Sequence, residues 1–379
     1  MAATYKTFLN NDITSTRTML HEAIPITGSI VSGTYSEGST ATSNIKTYSH
    51  GMFESVYDYP YLSSSANHIF DIVATYSSDS DLSASSGRTQ QDKKINLYNQ
   101  MALMLVPTDI TGNIQQFDAD GNLVAGGTKM EEAWMLNFSR LLVKDEIKKG
   151  SFELELGVAE AYNQAGATFA KRIKLTDTSG STGFKTNSPA GEYGILYAST
   201  SAGTSALQGE TLGNAETNPA AGLIYYQAGV AVISGSIFNA SDDAAVPKGL
   251  LISTLNSSKF GSTAGTTGYK FVTGSSIETT TAAIRNRIYN IKFNNTTELN
   301  STIYFCRANH NEFNYSSNPT YLTGSKIRVK ETSFDQPVAY ITTIGLYSAD
   351  NELLAIAKLS EPIKKTPETE LTFRVRLDY

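Results

Sequence analysis

The last nine residues alternate strictly: Leu371, Phe373, Val375, Leu377 and Tyr379 are apolar, while Thr372, Arg374, Arg376 and Asp378 are polar or charged. Successive side chains of a β-strand point to opposite faces, so a period of two marks a strand with one covered face. The alternation runs to the final residue, and such a terminus is expected to be pinned in a sheet. Related patterns recur upstream. Trp134, Leu136 and Phe138 alternate, as do Phe152, Leu154 and Leu156 with Glu153 and Glu155 facing out. Residues 340–347 and 353–359 read as strands paired across the hairpin loop 348–352.

Composition agrees with a β-rich chain. Only 17% of the 379 residues are charged, against an average of roughly 25%. Serine and threonine fill the gap at roughly a fifth of the chain. A helical bundle would instead be rich in Ala, Glu, Lys and Leu. The net charge of −6 argues against a nucleic-acid partner, which needs a basic face. The single Cys306 leaves no disulfide framework and no thiolate cluster, and four histidines are few for a metal site. The first residues lack the basic start and apolar run of a signal peptide, and no stretch of about 18 apolar residues offers a membrane span. The expectation is a soluble β-rich protein made in a reducing compartment, with no membrane partner.

Further elements follow from local pattern. Residues 24–26 and 30–31 read as short strands. The aromatic run Tyr57-Asp58-Tyr59-Pro60-Tyr61 reads as extended or turn, because Pro60 disfavours a helical Tyr59. Residues 77–90 form a polar loop. A helix is predicted over 92–106, with Ile95, Tyr98, Ala102 and Leu105 on one face and Leu97, Met101 and Met104 widening the stripe. Residues 144–149 read as a short charged helical turn ended by Gly150. Residues 222–233 read as one buried strand, and 284–293 and 303–306 as strands. Segments 174–220, with one strand at 193–197, and 261–282 read as long polar loops.

Templates for chemistry mostly fail. The stretch from Asp118 resembles the start of a calcium loop, but the twelfth position is Lys129 where a glutamate is required, so a tight turn is expected. No GxSxG elbow and no GxGxxG occur. Gly180–Lys185 lacks the spacing of a phosphate loop. Cys306 and His310 lie four apart, but two ligands do not make a zinc site. The carboxylate pairs Glu131/Glu132 and Asp242/Asp243 are adjacent in sequence and would diverge on a strand. Three rows of cations remain: Arg285 with Arg287, Arg374 with Arg376, and Lys326 with Arg328 and Lys330. On strand faces they would either neutralise a neighbour's carboxylates or deter edge pairing. These readings give no catalytic, cofactor-binding or metal-ligating residues, no cofactor and no enzyme.

Several blocks of sequence resemble one family. Residues 340–365 (Tyr-Ile-Thr-Thr-Ile-Gly-Leu-Tyr-Ser-Ala-Asp-Asn-Glu onwards), the closing Phe-Arg-Val-Arg-Leu-Asp-Tyr, residues 307–321 and Gly-Leu-Ile-Tyr-Tyr-Gln-Ala-Gly-Val-Ala-Val (222–232) look like virion structural proteins of contractile-tailed, cyanophage-like marine myoviruses. Residues 4–14 and 140–150 fit the same group. The resemblance implies a non-enzymatic bacteriophage component of the tail, baseplate or neck, assembled in the host cytoplasm. Its partners would be other virion proteins and copies of itself. The alternatives are a receptor-binding or fibre-attachment protein, with host glycan meeting Tyr57, Tyr59, Tyr61 or the 174–220 loops, and a polysaccharide-degrading enzyme.

The expected architecture is mainly β: antiparallel, sandwich-like domains with a few short helices and long polar loops. The expected division is 1–165, an α+β domain holding the helix, and 166–379, a β-rich domain.

Overall fold

The computed structural model describes residues 5–27, 43–80, 89–123, 129–158, 171–199, 220–238, 276–315, 322–324, 326–327 and 334–379. The chain divides into two units: His21–Thr297, and Met1–Leu20 together with Glu298–Tyr379. The expected boundary near 165 falls inside the larger unit. It lies between β7 (Glu153–Val158) and β8 (Lys171–Thr176), which pair with each other from Glu153↔Thr176 to Val158↔Lys171.

The fold is mainly β and antiparallel, as the alternation predicts. The remaining strands are β1 (Ile13–Thr27), β2 (Ile45–Thr47), β3 (Glu54–Tyr57), β4 (His68–Tyr76), β5 (Glu132–Phe138), β6 (Glu146–Ile147), β9 (Tyr193–Ser199), β10 (Ala220–Tyr225), β11 (Val230–Ser234), β12 (Ile288–Ala308), β13 (Leu322–Thr323), β14 (Lys326–Ile327), β15 (Ala339–Tyr347), β16 (Leu353–Lys365) and β17 (Leu371–Asp378). The helices are α1 (Thr89–Leu105), α2 (Arg140–Val143), α3 (Gly180–Gly183) and α4 (Ile277–Arg285). Both β1 and β12 contribute residues to both units.

In the larger unit the sheet runs β12-β7-β8-β9-β10-β11-β5-β4-β3-β2. Its central strands are covered on both faces. Trp134, Leu136 and Phe138 of β5 enter one core with Ala231 and Ile233 of β11, while Ala133 and Met135 enter the other with Val230 and Val232. The first core is tied by aromatics: Phe138 stands 5.9 Å from Phe152 and 5.2 Å from Phe293, ring centre to ring centre. Trp134, fully buried, meets Phe238 edge-on at 5.8 Å and donates its indole N–H to the Thr280 carbonyl at 3.3 Å. Helix α4 adds Ala283 and Ile284 to this core, and α1 adds Tyr98, Ala102 and Leu105 to the other.

The helix expected at 92–106 forms as α1 with the expected face inward: Tyr98, Ala102 and Leu105 are buried, Ile95 is half-buried, and only Met104 of the widening residues stays exposed. Lys94, which the apolar pattern left out, is fully buried as well. The run 222–233 is a hairpin, not one strand. Gly229, at φ +67°, lets its N–H reach the Tyr225 carbonyl at 2.9 Å and reverses the chain into β11. Residues 144–149 are not helical. Lys144 takes φ +57° and ends α2, and β6 then pairs with Asn295 and Thr296.

The end of the 261–282 loop and the start of the 284–293 strand are helix α4. Ser276 caps it, accepting from the Thr279 N–H at 3.2 Å. The hydroxyls of Thr280 and Thr281 bond back to the carbonyls of Ser276 and Glu278, so a threonine run that disfavours helix in isolation is satisfied within one. The short strand expected at 24–26 is the end of the long β1; residues 30–31 lie outside the described residues. So do most of the loops 77–90 and 261–275, and residues 200–219.

In the smaller unit, β12 lies between β1 and β17, and β15 pairs with β16. The hairpin across 348–352 forms as predicted, with Tyr347 opposite Leu353 and Leu346 opposite Ala355. The final strand also forms, from Ala308↔Leu371 to Ser301↔Asp378, and Tyr379 exchanges both backbone hydrogen bonds with Asn300.

Candidate functional site

The structure disperses most of the chemically suggestive residues. Asp118 and Lys129 face each other across a turn closed by the Gly121 N–H to the Asp118 carbonyl, and the lysine ammonium pairs with the buried carboxylate. Burial alone would raise the Asp118 carboxyl; Lys129 and the neighbouring Asp120 override it and hold the group below its usual range. A side-chain cation thus occupies the position where a calcium loop needs an anion.

Gly180 opens the four-residue α3, and a Cβ there would sit 2.3 Å from the Tyr226 hydroxyl. The glycine therefore serves packing, not a phosphate cradle. Cys306 is half-buried on β12, and burial together with the Asp12 charge pushes its thiol up. His310 is exposed in the following loop and lies 3.2 Å from Glu370. Glu132 is buried and accepts from Ser80 Oγ at 2.5 Å. Among the described residues no group of three or more His, Cys, Asp or Glu is placed to hold a metal. Asp242 and Asp243 lie outside the described residues.

The cation rows resolve differently from the strand-face expectation. Arg285 ends α4, Arg287 follows it, and both are buried inside the larger unit. Arg285 Nε lies 3.3 Å from Glu54 Oε2, and Arg287 Nη1 donates to the Gly157 carbonyl at 3.1 Å. They hold α4 onto the sheet and are closed to a neighbour. Sequence reasoning missed this because Ile284 and Ile288 mimic strand alternation across a helix end. Arg374 and Arg376 do lie exposed on one face of β17, where Arg376 pairs with Asp378 at 2.7 Å. Arg328 and Lys330 lie outside the described residues.

Tyr57 ends β3, and Tyr59 projects from the turn that follows, 59% exposed. Asp58 braces the turn by accepting from the Asn67 N–H at 2.6 Å and its side-chain amide at 2.8 Å. Tyr57 packs near Tyr61 and edge-on against His68.

A cleft of about 470 Å³ opens beside Ile24, Pro25, Lys148, Ser151, Lys292 and Asn294. Two of the lysines beside it are paired: Lys292 meets Glu153 at 3.0 Å, and Lys149 pairs with Glu192. It offers no convergent set of reactive groups.

The most distinctive surface belongs to the smaller unit. Among the described residues it buries four apolar side chains (Ala308, Ala339, Leu346 and Val375) and contributes nothing to either core of the larger unit. Of the 24 large apolar residues exposed among the described residues, 17 belong to it, including Tyr5, Phe313, Tyr347, Leu353 and Ile356. Single exposed apolar residues are ordinary, but this concentration beside so little buried matter is unusual for a unit left in water. The sequence signal was present in the period-two hairpin, yet alternation reports only that one face is covered, not by what. No protein-family model, no curated protein and no solved structure matches this chain.

Proposed function

We propose that this chain is a non-enzymatic structural subunit of a contractile-tailed phage particle, in its tail, baseplate or neck, acting through subunit contacts. The observation that carries the reading is the smaller unit, which exposes most of the large apolar surface and holds almost no core. Obligate subunit interfaces have this character, resembling a domain core cut in half. The blocks resembling virion proteins, 340–365 and 373–379, lie in this same unit. Mass spectrometry of purified particles tests the proposal: the chain is expected in stoichiometric amount, and its absence from intact particles overturns it.

A second reading rests on Tyr59, an exposed aromatic on a braced turn. As a receptor-binding component the chain would stack Tyr59 on host glycan. Glycan-array binding lost in Tyr59→Ala would support this, and no binding to host surface material would remove it.

A further inference from the structure

We propose that the cleft of about 470 Å³ in the larger unit binds a small phosphate or sulfate ester. Lys148, Lys292 and Asn294 would hold the oxyanion, and Ile24 and Pro25 the body of the ligand. The volume falls within the roughly 300–1,000 Å³ of small-ligand sites. The proposal is of binding alone and involves no bond made or broken.

The charge of the lining selects an anion. Lys148, Lys149 and Lys292 line the cleft against one carboxylate, Glu153, although the whole chain carries −6. A locally positive recess on an acidic chain concentrates anions there. Glu153 is shared: Lys174 lies 2.7 Å from one oxygen and Lys292 3.0 Å from the other, so one carboxylate meets two ammonium groups. Lys148 is exposed and forms no ion pair among the described residues. Lysine meets an oxyanion as a point charge, which suits a tetrahedral phosphate or sulfate. The fork that grips a planar carboxylate through two bonds belongs to arginine, and the lining has none.

The backbone that carries these groups is fixed before any ligand arrives. Lys148 donates its N–H to the Asn294 carbonyl at 2.7 Å, and its own carbonyl accepts from the Ser151 N–H at 3.2 Å and the Ser151 hydroxyl at 2.6 Å. Ser151 Oγ in turn accepts from the Asn294 N–H at 3.0 Å. Turn and strand thus form one braced corner, and a site whose supports are already made loses less freedom on binding. The Asn294 side-chain amide makes no hydrogen bond among the described residues, so it is a spare donor lining the same cleft. Pro25 is exposed and Ile24 half-buried, and they supply an apolar wall for the carbon skeleton of an ester.

Isothermal titration of the full chain tests this with glucose 6-phosphate, glucose 6-sulfate, inorganic phosphate and glucose. An ester is expected to bind more tightly than inorganic phosphate, because only the ester has a body for the apolar wall, and neutral glucose should not bind. Binding of either ester supports the proposal, and the tighter of the two names the oxyanion. Lys148→Ala, changed only at an exposed side chain, should weaken ester binding about tenfold or more through the loss of one charge-assisted hydrogen bond. Asn294→Asp keeps the shape, replaces the spare donor with a like charge, and should weaken it at least as much. An unchanged circular dichroism spectrum checks that both variants fold, and added salt should weaken binding by the wild type without any substitution. No binding of either ester at about 10 mM overturns the proposal. So does inorganic phosphate held as tightly as the esters, which is charge alone, or ester binding that is indifferent to salt and to both variants. None of these outcomes bears on the structural-subunit reading, which the composition of purified particles tests separately.

Discussion

Tyr226 donates its hydroxyl hydrogen to Asp177 Oδ2 at 3.1 Å, and both residues are fully buried. Asp177 also accepts from the Gly150 N–H at 2.8 Å and the Phe152 N–H at 2.9 Å. One carboxylate thus gathers the residue after β8, the segment entering β7 and the turn between β10 and β11. Burial pushes its carboxyl up, and the three donors oppose that push.

Removing the tyrosine hydroxyl leaves a buried acceptor short of a donor, so Tyr226→Phe is expected to cost about 1–3 kcal/mol in chemical denaturation. Gly194 lies directly beneath: a Cβ there would fall 2.0 Å from the hydroxyl oxygen and 2.9 Å from the ring carbon bearing it. Gly194→Ala should therefore destabilise the wild type more than it destabilises Tyr226→Phe. The double-mutant cycle measures this coupling, and additive effects would contradict it.

Trp134 fills the first core and bonds to α4, so Trp134→Ala should cost about 3–5 kcal/mol. On the other side of the sheet, the Tyr98 hydroxyl donates to the Met130 carbonyl at 2.7 Å and accepts from the Phe117 N–H at 3.1 Å. Tyr98→Phe removes both bonds while keeping the ring, so its cost should be smaller than that of Trp134→Ala. Equal losses in a thermal or denaturant series would refute the difference.

Lys94 is buried beside the Tyr76 ring, and burial lowers its ammonium to about 8 from an ordinary 10.5. The unfolded chain then holds this proton more tightly than the folded one. The Lys94 contribution therefore rises with pH between about 8 and 10.5, by on the order of 3 kcal/mol across that window. The stability of Lys94→Met relative to wild type should be greatest below pH 8 and shrink through the window. A gap that stays flat from pH 7 to 10 would contradict this.

Lys365, fully buried in the smaller unit, donates to the Asn314 side-chain carbonyl at 2.8 Å, the Thr366 carbonyl at 2.8 Å and the His310 carbonyl at 3.3 Å. It pins the loop that holds Phe313 at φ +53°. Lys365→Met keeps the stem and removes the donors. Chymotryptic cleavage at Phe313 should then accelerate severalfold while the unfolding transition of the larger unit is unmoved. Unchanged cleavage would show that the loop is held otherwise.

What could be read from the chain depended on how local the cause was. The alternation at Leu371–Asp378 and the hairpin across 348–352 follow from residue spacing and turn chemistry, and both appear where expected. Helix α1 was also legible, because its apolar spacing repeats over several turns. The reversal at Gly229 was not, since Tyr226-Gln227-Ala228 carries no usual turn residue and only the left-handed glycine closes it. Helix α4 was hidden by its threonines, whose strand preference yields to a serine cap and a buried face. The candidate surface was half legible: the apolar positions were visible in sequence, their exposure was not.

By itself the sequence determined that this chain builds strands, because period-two alternation suits a strand, and that the strands joined across 348–352 pair antiparallel, because a short loop joins them. Only the tertiary structure decided which faces are covered. Burial depends on what long-range pairing brings above each strand, and spacing carries no information about that. It buries Arg285 and Arg287 at the end of α4, and it leaves Tyr347, Leu353 and Ile356 open on the hairpin.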